Sequence, residues 1–166
     1  KIDNKFLIWD KVDSRYFILT GGRGSGKSFA INTMLLLLTQ EAGHTILFTR
    51  YTLRSANISI IPEFKEKIDL LNLSHLFHIT KDEIINKGSG SKILFRGIKT
   101  SSGDQTANLK SMQGITTWVM DEAEELMDES IFDKIDLSVR QKGIDNRIIL
   151  ILNPTTKEHW IYERFF

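Results

Sequence analysis

A chain of 166 residues is long enough for one domain with a full hydrophobic core, and it leaves no room for a second domain of ordinary size. Lysine and arginine number 22 and aspartate and glutamate 21, so the formal net charge of +1 excludes a basic field over the whole surface, and any contact with nucleic acid must be local or come from several assembled copies. The absence of cysteine excludes disulfides and zinc-thiolate sites, and the longest apolar run, Met34 to Leu38, is too short to cross a bilayer.

The first fifteen residues are predicted to form a short helix or an extended arm packed on the core, which then runs from residue 16 to residue 166. Trp9 fits the apolar side of this arm better than a ligand contact. Because segments ahead of a phosphate-binding loop can hold a nucleotide base, Trp9, Arg15 and Tyr16 are nevertheless candidates for base contacts.

A phosphate-binding loop is predicted from Gly21 to Ser28, which matches the pattern G-x-x-x-x-G-K-[ST] at every fixed position. Tyr16–Thr20 ahead of it indicates a short buried strand, and Phe29 to Thr39 behind it indicates a helix, as this loop requires. Glycine lets successive backbone N–H groups turn around a phosphate, and the lysine reaches the outer phosphates. The residues assigned to nucleotide binding are Gly22, Arg23, Gly24, Ser25, Gly26, Lys27, Ser28 and Phe29. A glycine-rich turn without a ligand is the alternative.

The middle of the chain alternates strands with helices, which predicts an α/β domain with a mainly parallel sheet. Three short strands joined by polar turns predict a small antiparallel insertion, and a mobile loop is expected after them. The predicted elements are strand Thr45–Thr49, helix Ser59–Leu71, strands Phe77–Ile79, Glu83–Ile85 and Lys92–Arg96, loop Thr100–Gln105, strand Ile115–Met120, helix Glu129–Gln141, strand Arg147–Leu152 and a helical tail Trp160–Phe166.

Asp121 and Glu122 follow an apolar strand directly, which is the second half of a nucleotide site. Asp121 is predicted to hold Mg²⁺ together with the hydroxyl of Ser28. Glu122 is placed to polarise a water for in-line attack on the γ-phosphate, which indicates hydrolysis as well as binding. The alternative is an acidic helix start, since further acids follow in the sequence.

Asn153 ends a strand that is expected to lie next to the strand before the loop, so its amide is a candidate contact for the attacking water or the γ-phosphate. The alternative is a plain Asn-Pro turn. Arg23, inside the loop, can reach a γ-phosphate or a neighbouring carboxylate, or remain exposed. Four further arginines are candidates for an arginine finger offered to an adjacent subunit, or equally for structural salt bridges: Arg50, Arg54, Arg140 and Arg147.

Taken together, these motifs resemble the ATPase domain of phage terminase large subunits, of the type found in Gram-positive phages and defective prophages. The resemblance runs from about Tyr16 to the C-terminus. It is carried by Gly21 to Ser28, Phe95-Arg96-Gly97, Leu109-Lys110-Ser111, Trp118 to Leu126, Asn153-Pro154 and His159-Trp160.

This resemblance implies a P-loop NTPase fold of the ASCE type and an ATP- and Mg²⁺-dependent motor that pumps double-stranded DNA into a procapsid. The implied catalytic residues are Lys27, Glu122, Arg23 and Asn153, and the implied metal ligands are Ser28 and Asp121. Implied partners are the portal protein, the small terminase subunit and further copies in a ring, in the cytoplasm of the infected host and without a membrane. The nuclease domain that normally follows in this family is not expected within these 166 residues.

Two other functions stay open at this stage. One is a helicase or another DNA-stimulated ATPase on the same core. The other is a ring-assembly module in which nucleotide sets geometry and hydrolysis is incidental. A GTPase is disfavoured because no Asn-Lys-x-Asp motif occurs in the sequence.

Overall fold

A computed structural model describes residues 14–21, 26–52, 54, 60–100, 103–104, 113–154 and 157–166. Among these residues the elements alternate as predicted. The strands are β1 Tyr16–Thr20, β2 Thr45–Thr52, β3 Phe77–Ile79, β4 Glu83–Asn86, β5 Lys92–Thr100, β6 Gly103–Asp104, β7 Thr117–Met120 and β8 Arg147–Leu152. The helices are α1 Lys27–Leu38, α2 Ile61–Leu70, α3 Glu129–Asp136 and α4 Trp160–Phe165.

Within the described residues one sheet contains all the strands, in the order β1-β8-β7-β2-β5-β4-β3, with β6 paired to β5. The pairs from β1 through β8, β7 and β2 to β5 are parallel, whereas β5-β4, β4-β3 and β5-β6 are antiparallel. The predicted fold class is therefore confirmed: a mainly parallel sheet flanked by helices, with a small antiparallel part.

Alternate residues of the central strands face two separate cores. On one face Phe48, Phe95 and Val119 pack with residues of α1 and α2. On the other face Trp118 and Leu150 pack with residues of α3 and α4. Because both faces are covered, apolar residues follow one another without alternation in the middle of the central strands: Ile46–Phe48 in β2, Ile93–Phe95 in β5, Trp118–Met120 in β7 and Ile148–Leu152 in β8.

Parallel strands put their carboxyl ends at one edge of the sheet. Thr20 lies opposite Leu152, so β1 and β8 end side by side. Met120, the last residue of β7, lies opposite Thr49 in the middle of β2. The segments that follow β1, β8 and β7 therefore begin at the same edge of the sheet, level with the middle of β2. We call this the carboxyl edge, and we call the edge at which β1, β7 and β8 begin the amino edge.

The turn between β4 and β5 supports the far end of α1. Ser89 Oγ donates to the carbonyl of Thr39, and Ser91 Oγ donates to the carbonyl of Glu41. These carbonyls follow the last turn of α1, where the helix itself leaves acceptors without partners. The antiparallel part of the sheet thus fixes the helix that leaves the phosphate-binding loop.

Several predicted boundaries were wrong: β2 continues to Thr52 and not only to Thr49, and β7 begins at Thr117 and not at Ile115. Helix α3 ends at Asp136 and not at Gln141. The chain continues in a tight turn, in which the N–H of Val139 donates to the carbonyl of Asp136 at 3.2 Å, and the carbonyls of Asp136 and Val139 also accept hydrogen bonds from the Arg15 guanidinium at 2.9 and 3.0 Å. The loop predicted at Thr100–Gln105 contains β6, whose backbone pairs with Lys99 and Thr100. In addition, β5 is longer than expected and pairs with β2 as well as β4.

Of the arm predicted for residues 1–15, residues 1–13, including Trp9, lie outside the described residues. In the part of the chain that is described, no helix combines the length and the apolar character that crossing a bilayer requires.

Candidate active site

The predicted phosphate-binding loop falls between the end of β1 and the start of α1, and its described ends are Gly21 and Gly26. Gly26 ends the loop with φ 79°, a left-handed conformation that glycine adopts without steric cost, and its carbonyl accepts the first helical hydrogen bond from Ala30 at 3.0 Å. Four predicted binding residues lie outside the described part of the chain: Gly22, Arg23, Gly24 and Ser25.

Lys27 and Ser28 open helix α1 with opposite exposures. Lys27 is buried, with 7% of its surface exposed, and its Nζ donates to the carbonyl of Gly21 at the start of the loop. Ser28 is exposed in the first turn of the helix. Phe29 is 46% exposed, and the ammonium of Lys67 lies 5.3 Å from the centre of its ring. The ammonium of Lys27 therefore contacts the residue that begins the predicted loop, while the side chain of Ser28 is exposed.

Asp121 follows β7 directly, at the carboxyl edge. Its backbone N–H donates to the carbonyl of Thr49 at 2.9 Å, and its carboxylate accepts a hydrogen bond from Arg50 Nε at 2.9 Å. Burial raises the pKa of the Asp121 carboxyl, although the charge and hydrogen bond of Arg50 oppose that rise. A raised pKa marks a carboxylate that would gain from a further cation nearby.

Glu122 lies beside Asp121 and faces the same guanidinium. Its φ of 50° is unusual for a residue with a side chain, and Arg50 Nη2 lies 3.4 Å from its carboxylate. Burial raises the pKa of the Glu125 carboxyl, and a hydrogen bond with Glu122 raises it further. The single guanidinium of Arg50 therefore serves two adjacent carboxylates of its own chain.

The strand order explains the spacing of the site. Strand β8 lies between β1 and β7, so two inter-strand spacings, about 10 Å, separate the strand before the loop from the strand before Asp121. Asn153 follows β8 in that gap, next to the loop strand as predicted. Its side-chain amide donates to Glu124 at 3.0 Å.

The region after Glu122 also bears out part of the alternative interpretation. Ala123–Glu125 forms a short 3-10 turn, and a separate helix, α3, begins at Glu129 with the side chain of Asp128 as its cap. The acids of this stretch thus begin helical segments while Asp121 and Glu122 remain at the strand end.

Two candidate base contacts lie away from the predicted loop and bind another residue. Arg15 and Tyr16 lie at the amino edge, at the opposite end of β1 from the loop. Their side chains both bind Asp136, at 2.7 Å for the guanidinium and 2.8 Å for the hydroxyl. These contacts join the start of β1 to helix α3 and leave neither side chain near the phosphate-binding loop.

The four candidate finger arginines have different surroundings. Arg50 bonds Asp121 and Glu122 of its own chain, which is the salt-bridge alternative that the sequence left open. Arg147 lies at the amino edge, 3.7 Å from Asp145. Arg54 and Arg140 are exposed, so they remain candidates for a contact with an adjacent subunit.

Sequence reasoning missed Arg50 as a partner of the acidic pair, and it assigned no role to Glu124 or Glu125. The position of Arg50 at the end of a predicted strand was a usable signal, because Asp121 also ends a strand. Which strand pairs with which was not visible in the sequence, so the two residues could not be brought together.

A family model described as "Phage terminase large subunit" matches residues 13–166. The large terminase subunit of Bacillus phage SPP1 is 28% identical over 95% of this chain and 40% of the relative. A large terminase from a thermophilic bacteriophage has the same fold, with a TM-score of 0.76 at 16% identity over 96% of this chain and 40% of that one. The complex of that large terminase with ADP matches with a TM-score of 0.72 at 15% identity, over 98% of this chain and 40% of that one.

The chain thus spans about two fifths of the length of these relatives. Since the family model covers nearly the whole sequence, this protein belongs to the phage terminase large subunit family.

Proposed function

We propose that this chain hydrolyses ATP and thereby drives double-stranded DNA into a viral procapsid. One observation carries the proposal: a buried lysine of a phosphate-binding loop, an adjacent pair of carboxylates and an asparagine follow three strands of one sheet at the same edge. Lys27, Asp121, Glu122 and Asn153 supply these groups. The ADP complex of the thermophilic phage's large terminase, which shares the fold, supports a nucleotide as the ligand.

The donor set fits magnesium. Mg²⁺ prefers oxygen ligands such as carboxylates, and it is usually shared with substrate phosphates. Ser28 offers an exposed hydroxyl and Asp121 a carboxylate whose burial favours a neighbouring cation. These two residues would hold the ion, which when bound neutralises charge on the phosphates.

The remaining groups divide the chemistry of hydrolysis among themselves. Lys27 binds the outer phosphates by exchanging the Gly21 carbonyl for phosphate oxygens, and the loop residues Gly22 to Gly26 contribute backbone N–H groups. Glu122 accepts the proton of the attacking water as general base. Asn153 orients that water, and Arg23 stabilises charge on the transferring phosphoryl group.

The working assembly is larger than this chain. We propose a ring of copies docked on the portal protein, supplied with DNA by the small terminase subunit, in the cytoplasm of the infected host. Residues 16–166 form the ATPase core in this proposal and residues 1–15 an arm against it. Arg54 or Arg140 completes the site of the neighbouring copy in trans.

Purified protein with Lys27→Ala or Glu122→Gln tests hydrolysis directly. We expect Lys27→Ala to lose both binding of a fluorescent ATP analogue and phosphate release. Glu122→Gln should keep binding and lose turnover by about 10²- to 10⁴-fold, because it removes only the general base. Glu163→Gln, an exposed change of the same kind on α4, is the control and should behave as wild type. Wild-type turnover in either site variant would refute the assignment.

A second experiment separates the motor from the two other functions. Packaging of DNA by procapsids with the full-length subunit should stop when Glu122 is replaced by glutamine. Continued packaging would instead support a ring-assembly module. Separation of the strands of a tailed duplex, in place of translocation along intact duplex, would support a helicase.

A further inference from the structure

The side chain of Glu124 joins the segment after β7 to the segment after β8. Its Oε1 accepts a hydrogen bond from Asn153 Nδ2 at 3.0 Å, and its Oε2 accepts one from the backbone N–H of Asn153 at 3.3 Å. One carboxylate therefore contacts Asn153 twice, through the main chain and through the amide. This two-point contact spans the two segments that carry Glu122 and Asn153.

The turn that carries Glu124 is also held from behind by the start of α4. His159 is buried, its Nδ1 accepts from the backbone N–H of Ile161 at 3.2 Å, and so its Nε2 donates to the carbonyl of Glu124 at 3.1 Å. Trp160 Nε1 donates to the carbonyl of Leu126 at 2.7 Å. Hydrogen bonds from His159 and Trp160 therefore fix the backbone of this turn independently of the contact between the Glu124 side chain and Asn153.

The chemistry of these contacts gives Glu124 a specific effect. An asparagine amide can turn by half a rotation and exchange its donor and acceptor ends. A carboxylate that only accepts hydrogen bonds favours the rotamer in which Nδ2 faces it. The Oδ1 atom of Asn153 is then turned away from Glu124 and keeps its capacity to accept a hydrogen bond.

We propose that Glu124 is a positioning residue for hydrolysis, which acts by selecting the amide orientation of Asn153 and by fixing Asn153 relative to the turn that begins at Glu122. The proposal rests on the proposed ATPase function. Glu124 makes no contact with the nucleotide in this scheme. It sets which atom of Asn153 is presented to the attacking water, a proton donor that needs an acceptor.

Glu124→Gln tests the proposal with almost no change in shape. Glutamine offers a donor as well as an acceptor, so both orientations of the Asn153 amide become possible. We expect kcat for ATP to fall by between about 10- and 100-fold, as misplacement of a positioned group does, with KM for ATP changed by less than about threefold because Lys27 and the loop are untouched. Glu163→Gln again serves as the matched control, and a thermal melt confirms folding.

A double-mutant cycle separates positioning from a general structural role. If Glu124 acts through Asn153, then Glu124→Gln should have no further effect on kcat in an Asn153→Ala background. Equal fold-losses of kcat in the two backgrounds would overturn the proposal, as would wild-type kcat in Glu124→Gln.

Two further outcomes keep the test decisive. Should Glu124→Gln fail to fold, Asn153→Ala alone decides, because wild-type kcat without the amide leaves Glu124 nothing to position. Failure of the ATPase function itself is recognised separately: Lys27→Ala and Glu122→Gln would then retain wild-type turnover, whereas failure of positioning alone leaves those two variants inactive.

Discussion

The two edges of the sheet each contain a partly buried arginine–carboxylate pair, and the two pairs are built differently. At the amino edge, Arg15 binds Asp136 at 2.7 Å. At the carboxyl edge, Arg50 binds Asp121 at 2.9 Å. The pairs therefore have similar geometry at opposite ends of the same parallel strands.

The surroundings of the two pairs differ. Asp136 receives a second hydrogen bond from the Tyr16 hydroxyl, and Arg15 also donates to the backbone carbonyls of Asp136 and Val139. Asp121 instead shares its guanidinium with Glu122, and burial raises the pKa of its carboxyl. The amino-edge pair is satisfied by fixed groups of the fold, whereas the carboxyl-edge cluster concentrates more negative charge than one arginine neutralises. The first arrangement favours stability, and the second is consistent with the proposed binding of Mg²⁺ by Asp121.

Breaking the amino-edge pair should lower the free energy of unfolding more than any other change proposed below. Asp136→Ala leaves the Arg15 guanidinium and the Tyr16 hydroxyl without their carboxylate partner. We expect the free energy of unfolding to fall by about 2–3 kcal/mol, below the range for fully buried pairs because a third of the Arg15 side chain is exposed. Urea denaturation measures this change.

Asp145 provides the control at the same edge, since 80% of its side chain is exposed. Asp145→Ala should change the free energy of unfolding by no more than about 0.5 kcal/mol. An equal loss in the two variants would show that the buried pair contributes no more than a surface charge.

Of the two edges, only the carboxyl edge could largely be predicted from the sequence. The loop ending in Lys27 and Ser28, and the acids directly after an apolar strand, have fixed spacings because their chemistry requires them. A local pattern could therefore predict the position of Asp121 and Glu122. The alternation of strands and helices likewise predicted the sheet, because apolar strands must be covered on both faces.

The contacts that cross between strands were not predictable. Arg50 meets Asp121, and Glu124 meets Asn153, only because β2, β7 and β8 are neighbours in the sheet. Arg15 and Tyr16 lie away from the loop for a related reason: β1 begins at Tyr16 and ends at Thr20, so the predicted loop follows at the other edge of the sheet. The sequence alone therefore does not show at which edge of the sheet each of these side chains lies.

Replacing the aspartate of the carboxyl-edge pair by asparagine should change the free energy of unfolding in the opposite direction to the same replacement in the amino-edge pair. Because burial raises the pKa of Asp121 in the folded state, its protonated form is the favoured one there. The stability that this carboxyl contributes is present below its unfolded pKa and is lost as the pH rises through its folded pKa. In metal-free buffer at about pH 7, Asp121→Asn should therefore be more stable than wild type, with the difference shrinking toward about pH 4.

Thermal denaturation across that pH range, with Asp136→Asn as the counterpart, measures the contrast. Asp136→Asn should be less stable than wild type at neutral pH, since it weakens the hydrogen bonds to Arg15 and Tyr16. If Asp121→Asn also loses stability at neutral pH, then the ion pair with Arg50 outweighs the cost of burial, and the two edges do not differ in the way described above.

Replacing Arg147 should change the free energy of unfolding less than breaking the Arg15–Asp136 pair, although Arg147 is the more buried of the two arginines at the amino edge. Only 15% of its side chain is exposed, and its nearest carboxylate, on the exposed Asp145, is 3.7 Å away. Among the described residues its Nη1 atom is buried without a hydrogen-bond partner, which costs free energy that Arg15 avoids. Arg147→Met keeps the apolar stem and removes that group, so we expect the free energy of unfolding to stay the same or to rise by up to about 1 kcal/mol. Arg15→Met, measured beside it in urea, should lose stability. A loss of the same size in both variants would mean that burial of an arginine, and not its set of partners, determines stability at this edge.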